Sequence, residues 1–429
     1  MLRALAIDFN SYFASVEQQE RPELRGKAVG IVPVMAETTG CVAVSIEAKK
    51  LGLDRNVRVA EARRFCPGIV IVEARPEVYI RYHRQLKAIV ETCIPVKKVQ
   101  SIDELECELS GDFAQPERAL ALAKEIKAKI AREAGALLRS SIGIGPNWFL
   151  AKVASDMMKP DGLVLLDDAD IPGKLLHLGL RDFCGIGPNM EKRLRAAGID
   201  TVEKLYAASS AQLRAIWGSV EGARFHAWLR GAPQEREQTQ HNTIGHGHVL
   251  PPSGRNNETA LAVLHRLLQK AAMRLRHDGF YAGGLHVSVR YRDGTEWSDG
   301  RHFNETQDTL HFTHVLNELW AGRPRELRSR APMQIGIVLD RLLAGGEHTP
   351  DLFEADKETT RARLHSAIDT LNQTFGKNSV YFGGAHGATS YAPMRIAFTR
   401  IPEPEIEEID TKRQRRLKPK KETPPDSNP

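Results

Sequence analysis

Three carboxylates are the most chemically informative residues in this chain: Asp8, and the adjacent pair Asp103 and Glu104. Asp8 follows four apolar residues, Ala4 to Ile7, which read as a short buried strand that the acid ends. From Ser11 onward the residues suit a helix, with Asn10 or Ser11 as its N-cap. That order sets a carboxylate at a strand end, where it can hold a hard cation, beside a helix N-terminus that attracts anions. Val99 to Ile102 is strand-like and runs straight into Asp103-Glu104. Neighbours on a strand face opposite ways, so both acids serve one site only at a strand end or turn. Three such carboxylates can hold two Mg²⁺ ions for in-line phosphoryl displacement. On the residues alone a plainer reading stands beside this one. Asp8 ends a strand and helps cap a helix, and Asp103-Glu104 is a solvated hairpin tip.

The elements around these acids narrow the choice. Ser141 to Gly162, SIGIGPNWFLAKVASDMMKPDG, reads as a strand to Ile144, a turn at Gly145-Pro146 and a helix from Trp148 to Met158. Lys152 and Lys159 lie two helical turns apart, hence on one face, which alone reads as a solvated basic surface. DFNSYFASVE, SIDE and this block, in that order and at these separations, resemble the Y-family translesion DNA polymerases, with the bacterial DNA polymerase IV branch nearest in flavour. The resemblance covers roughly residues 1–350.

It implies an α+β multidomain, right-hand fold: a ferredoxin-like palm (1–18 and 77–165), small fingers (19–76), a helical thumb with a helix–hairpin–helix (166–235), and an α+β little finger with a C-terminal extension (242–400). It implies two Mg²⁺ ions on Asp8, Asp103, Glu104 and the Phe9 carbonyl, with Asp103 and Glu104 as the catalytic acids. Tyr12, Phe13, Lys49 and Lys159 are then the nucleotide-binding residues. The Phe13 ring would lie under the sugar and exclude a ribose 2′-OH, and Lys159 would reach the triphosphate; on residues alone Phe13 is a core side chain. Asn147, Lys152 and Asp156 would organise the neighbouring backbone, and Lys152, Gly185, Gly187 and Arg274 would meet DNA. The partners are primer–template DNA and a dNTP. The chain departs from the family at Ile46 and Lys49, where Tyr and Arg usually hold the triphosphate; Ile46 cannot hydrogen-bond and Lys49 is a point charge rather than a fork.

The expected activity is low-fidelity, template-directed synthesis past damage. Two other readings compete: a polymerase-like accessory protein that binds damaged primer–template DNA and recruits partners, favoured by Ile46 and Lys49, and a nucleotidyl cyclase with a two-metal palm.

Composition is compatible with these readings. The chain has 429 residues, 41% of them hydrophobic, enough for two to four domains. No apolar run approaches a membrane span, and the N-terminus lacks a signal-peptide pattern. Five scattered cysteines without C-x-x-C spacing fit a reduced, cytoplasmic protein, and the resemblance implies a nucleoid-associated monomer. A net charge of +6 with 60 Lys and Arg leaves room for basic faces toward nucleic acid.

Gly185-Ile186-Gly187-Pro188 and the helix after it resemble a helix–hairpin–helix clamp, where backbone N–H groups approach phosphate without a Cβ in the way. Residues 234–248 read as a polar linker. Asn257 to His277 reads as a long amphipathic helix bearing Arg266, Lys270, Arg274 and Arg276 outward, and Leu285 to Tyr291 and Gln334 to Leu339 as strands. Leu352-Phe353 is a weak match to a sliding-clamp peptide. Leu364, Ile368, Leu371 and Phe375 form a helical stripe that should pack locally. The acidic then basic tail, 401–429, is expected to be disordered.

Overall fold

The computed structural model describes residues 1–234, 242–349, 355–376, 379–388, 391 and 401. They fall into two units, one holding the residues up to 234 and the other those from 242 to 391.

The first unit begins with β1 (Ala4–Phe9) and α1 (Tyr12–Glu20), followed by β2 (Val29–Val32), β3 (Ala43–Val44), α2 (Ile46–Lys50), α3 (Val59–Phe65) and β4 (Val70–Glu73). Next come α4 (Pro76–Glu91), β5 (Val96–Ser101), β6 (Glu104–Glu108), α5 (Pro116–Glu133), β7 (Ser140–Gly145), α6 (Trp148–Met157) and β8 (Leu163–Leu165). Four helices close the unit: α7 (Pro188–Ala196), α8 (Val202–Ala207), α9 (Ser210–Trp217) and α10 (Glu221–Leu229). Five strands form one sheet in the order β5-β6-β1-β7-β8, with β1 at its centre; β3-β2-β4 form a second, small sheet.

Cross-strand register explains the main packing decision. Ala4 lies opposite Gly145, Ala6 opposite Gly143 and Asp8 opposite Ser141, so one face of β1 and β7 is a row of small residues ending in an acid. Helix α6 settles on that row, with Trp148 and Ala151 against Ala4 and Ala6. The approach is so close that a Cβ at Gly143 would stand 2.0 Å from the Ala151 carbonyl oxygen. Small residues thus bring α6 down onto the sheet, and its Lys152 arrives over Asp8. Leu5 and Ile7 point to the opposite face and are fully buried. The far side of α6 shares a core with α7 to α10, through Phe149, Leu150, Val153 and Ala154. Asn147 caps α6 by accepting from the Leu150 N–H and donates to the Trp228 and Ala232 carbonyls, tying the helical region to the sheet.

The second unit contains β9 (Thr243–Val249), α11 (Asn257–His277), β10 (Phe280–Tyr291), β11 (Glu296–Thr306), α12 (Thr309–Ala321), β12 (Pro332–Ala344) and α13 (Ala355–Phe375). Its sheet runs β11-β10-β12-β9, antiparallel throughout, with α11 and α12 packed on one face.

Several expectations are corrected here. Strand β1 continues through Asp8 and Phe9, because both keep ladder partners on β7. The stretch 243–249 is a strand, not a linker: Ile244 and His248 alternate inward against β12, a pattern that polar histidines disguise. Polar β11, and α12, carry no signal in the reading above. The stripe on α13 faces outward, with Leu364, Leu371 and Phe375 exposed, because α13 turns His365 inward instead. The four bases of α11 do not point freely outward, since α13 and residues 383–388 also lie against this helix. Arg266 is buried with its Nε on the Tyr391 carbonyl, Lys270 is buried, and Arg276 forks onto Asp369.

Candidate active site

Asp8 and Glu104 are directly opposed on β1 and β6, while Asp103 occupies the turn before β6. The Phe9 N–H donates to the Asp103 carbonyl at 2.9 Å, locking the turn to the end of β1. Asp8 and Glu104 thus face one another across two adjacent strand ends, with Asp103 in the turn beside them. The Ser101 hydroxyl donates to Asp103 Oδ1 at 2.6 Å, and the three carboxylates do not all come within 4.8 Å of one another. Lys152 reaches among them from α6: its Nζ pairs with Asp8 Oδ2, lies 3.0 Å from Glu104 Oε1 and lies 3.1 Å from Asp156 Oδ1. Lys159 approaches from the other side, its Nζ 2.7 Å from both Asp8 Oδ2 and Asp156 Oδ1. Helix α6 ends at Met157, so the two lysines converge from a helix and the loop after it rather than from one helical face. Lys152 is a buried ion-pair partner, with a side chain only 11% exposed, and not a solvated basic surface.

Burial works to raise the Asp8 pKa, yet Lys152 and Lys159 together hold its carboxyl below the usual range. Burial pushes Asp103 upward, with the Asp8 charge adding to it, and Glu104 is raised by burial and by Asp8 and Asp103. Burial opposes charge on Lys152, but Asp8, Glu104 and Asp156 keep its proton on well above the ordinary lysine range. An ammonium thus already stands where clustered, partly desolvated carboxylates call for a cation. All the side-chain donors are hard carboxylate oxygens, the set that suits Mg²⁺.

Helix α1 starts beside this cluster. Ser11 precedes it in the left-handed conformation (φ 48°), and neither Asn10 nor Ser11 caps it through a side chain. Its first turn holds no acid, which leaves first-turn N–H groups to attract an anion. Asn10 is used otherwise: its Oδ1 accepts from the Asp161 N–H at 2.7 Å and its Nδ2 donates to Ser141 Oγ at 3.1 Å. Lys127 donates to the Asp161 carbonyl and side chain, so the loop carrying Lys159 is anchored from two directions.

Phe13 is buried and stacks on Tyr79, with ring centroids 4.6 Å apart and planes at 22°. Tyr12 is buried beside it and its hydroxyl donates to the Tyr79 carbonyl at 2.6 Å. Behind this stack lies a wholly buried acid, Glu17, which accepts from Arg75 Nε at 2.9 Å and from the Tyr79 hydroxyl at 2.9 Å. The sequence reading missed Tyr79, Arg75 and Glu17. A signal was present: Glu17 lies one turn beyond Phe13, on the face that α1 buries, and a buried acid needs a partner.

The other expected residues stand as follows. Lys49 is exposed at the end of α2; surrounding protein atoms, then Lys159, hold its pKa below the lysine value, while Asp8 pulls the other way. Lys49 therefore shares the electrostatic neighbourhood of Asp8. Gly185 has φ 93° and Gly187 caps α7, and both have open space where a Cβ would be. Arg274 has a mostly buried side chain on Asp278 at 3.4 Å, within the second unit. Leu352-Phe353 and the tail from 402 lie outside the described residues. No helix among the described residues is long and apolar enough to cross a membrane.

Comparisons with known proteins identify the family. The mixed α+β, multidomain fold is shared with solved Y-family DNA polymerases. Residues 7–156 match the impB/mucB/samB family and residues 241–352 match the impB/mucB/samB family C-terminal domain. The chain is 33% identical over 392 residues to DNA polymerase IV of Moorella thermoacetica, covering 88% of this chain and 94% of that one. It is 33% identical over 389 residues to DNA polymerase IV 1 of Bacillus subtilis, covering 88% and 91%. Among solved structures, a Y-family DNA polymerase chimera (Dbh-Dpo4-Dbh) superposes with a TM-score of 0.68 at 21% identity, over 80% of this chain and all of that one. The chain belongs to the impB/mucB/samB family, the Y-family DNA polymerases.

Proposed function

We propose that this chain extends a primer 3′-OH on a DNA template by nucleotidyl transfer from a dNTP, with Asp8, Asp103, Glu104 and the Phe9 carbonyl holding two Mg²⁺ ions. As a member of its family it is a DNA-directed DNA polymerase, of the translesion class. The observation that carries the reading is the pairing of Asp8 and Glu104 across adjacent strand ends around the Lys152 ammonium, with Asp103 in the turn just before Glu104. When bound, the metal ions would lower the pKa of the attacking hydroxyl and neutralise phosphate charge.

The chain's own residues supply the rest. The α1 N-terminus, Lys159 and Lys49 line the approach to Asp8 with positive charge, suited to a triphosphate. Lys159, now paired with Asp8 and Asp156, would turn toward the phosphate oxygens if a metal ion took its place on Asp8. Phe13, held flat by Tyr79, presents a rigid ring that excludes a ribose 2′-OH. Gly185 and Gly187 expose backbone N–H groups for sequence-independent phosphate contacts. The small β3-β2-β4 sheet, as short fingers, would check the base pair loosely and so tolerate damage at low fidelity.

Ile46 favours a second reading, an accessory protein that binds damaged primer–template without efficient synthesis, because its side chain offers no hydrogen bond to a triphosphate. One assay separates the two: primer extension on an undamaged template with Mg²⁺ and dNTPs, beside the Asp103→Ala/Glu104→Ala variant. Extension by the wild type that vanishes in the variant is expected. Absence of wild-type extension with salt-sensitive primer–template binding would support the accessory reading.

A further inference from the structure

The sheet of the second unit buries one face on α11 and α12. Along β10 the residues of the other face are Gly284, His286, Ser288 and Arg290. Register places Gly284 between His302 of β11 and Asp340 of β12, and sets His286 opposite Gly300. The two glycines are cradles. A Cβ on Gly284 would stand 2.0 Å from Asp340 Oδ1 and 3.1 Å from the His302 ring, and one on Gly300 would stand 2.1 Å from His286 Nδ1. The three side chains lean over the missing Cβ atoms into one space. Each offers a donor atom within 4.8 Å of the others. His286 Nε2 lies 3.1 Å from Asp340 Oδ2, and the two imidazoles meet edge to face at 5.9 Å. Asp340 Oδ1 is buried with no hydrogen-bond partner among the described residues, a costly state that a cation would relieve.

We propose that His286, His302 and Asp340 bind one divalent transition-metal ion of the zinc class, at a site separate from the Asp8 cluster. Two imidazole nitrogens and one carboxylate are donors that zinc accepts, whereas Mg²⁺ takes oxygen ligands. Ligands on a tetrahedral zinc stand about 3.3 Å apart, given bonds of roughly 2.0–2.1 Å. The His286–Asp340 pair is already at that spacing, and exposed His302 closes the remainder by side-chain rotation, since the strands fix its backbone. Three protein ligands leave one coordination position for water. A simple His286–Asp340 ion pair accounts for neither the inward lean of His302 nor the orphaned Asp340 oxygen.

The test uses the full-length protein in excess Mg²⁺, with Zn²⁺ measured by equilibrium dialysis and elemental analysis and Co²⁺ followed by visible absorption. Wild type, His302→Ala, His286→Ala and Asp103→Ala/Glu104→Ala are compared, with thermal melts to verify folding. Wild type and the Asp103→Ala/Glu104→Ala variant are expected to retain one Zn²⁺ per chain. Each histidine variant should lose affinity by about 100-fold or more. The Co²⁺ adduct should show d–d bands without the near-ultraviolet charge-transfer band of a thiolate, which sets this site apart from the five cysteines. No Zn²⁺ on the wild type, wild-type affinity in His302→Ala, or a thiolate band would each overturn the proposal. Because His302 is exposed, its variant keeps the fold and reports on the site alone.

Discussion

Replacing Lys152 by alanine should destabilise the first unit strongly without divalent metal and only weakly with it. The ammonium contacts Asp8, Glu104 and Asp156, and the Lys152 and Asp8 side chains are 11% and 8% exposed. Removing one partner of a buried ion pair costs about 3–5 kcal/mol, because the other charge stays desolvated. Lys159 remains 2.7 Å from Asp8, and Glu104, 27% exposed, can turn toward water, so the low end, about 3 kcal/mol, applies. For a unit of this size that is a fall in Tm of roughly 6–12 °C in EDTA. Mg²⁺ then fills the position that the ammonium left. At 100 times its Kd it returns about 2.7 kcal/mol to the variant, whereas in the wild type it must displace Lys152 and gains less. Calorimetric melts of both proteins, in EDTA and in saturating Mg²⁺, measure this directly. Equal losses of Tm under the two conditions would refute the idea that Lys152 stands in for a cation.

Three further outcomes can be measured. Tyr79→Ala removes the ring that holds Phe13 flat, so ribonucleotide incorporation should rise about tenfold or more while primer–template affinity stays within about twofold; unaltered sugar discrimination would show that Phe13 needs no support. Lys49→Ala should raise the KM for dNTP about tenfold with little change in DNA binding, and an unchanged KM would remove Lys49 from the triphosphate site. Asp308, the N-cap of α12, is opposed by burial but held down to about 2 by hydrogen bonds from His365, the Leu310 N–H and Arg361. Its folded pKa lies below the unfolded value of 3.8, so it stabilises the second unit above about pH 4 and ceases to do so as pH falls toward 2. Asp308→Asn should therefore cost about 2 kcal/mol at pH 7, with the gap closing between pH 4 and pH 2 in denaturant titrations; a pH-independent gap would assign the loss to capping alone.

Local chemistry made much of this chain legible before any coordinates. The run Ala4 to Ile7, the acids at Asp8, Asp103 and Glu104, and the strand–turn–helix from Ser141 define elements whose ends must carry the site, since apolar periodicity and turn residues act within a few positions. Helix Asn257–His277 was likewise readable from end to end, with Asn256 capping it. What a side chain meets across the fold was not. Lys152 reads as a surface base and is buried among three acids, because the small residues Ala4, Ala6 and Gly143 let α6 descend onto β1. Strand β9 hides its inward face in histidine, and polar β11 earns its place only by pairing with β10. Arg75 and Tyr79 lie 58 and 62 positions from Glu17 in sequence, yet that one buried carboxylate joins them behind Phe13. Sequence by itself determined the elements and the acids at their ends, because those follow from contacts between near neighbours. Only tertiary structure decided the partners of each charge, because desolvation and pairing depend on which distant surface closes over it.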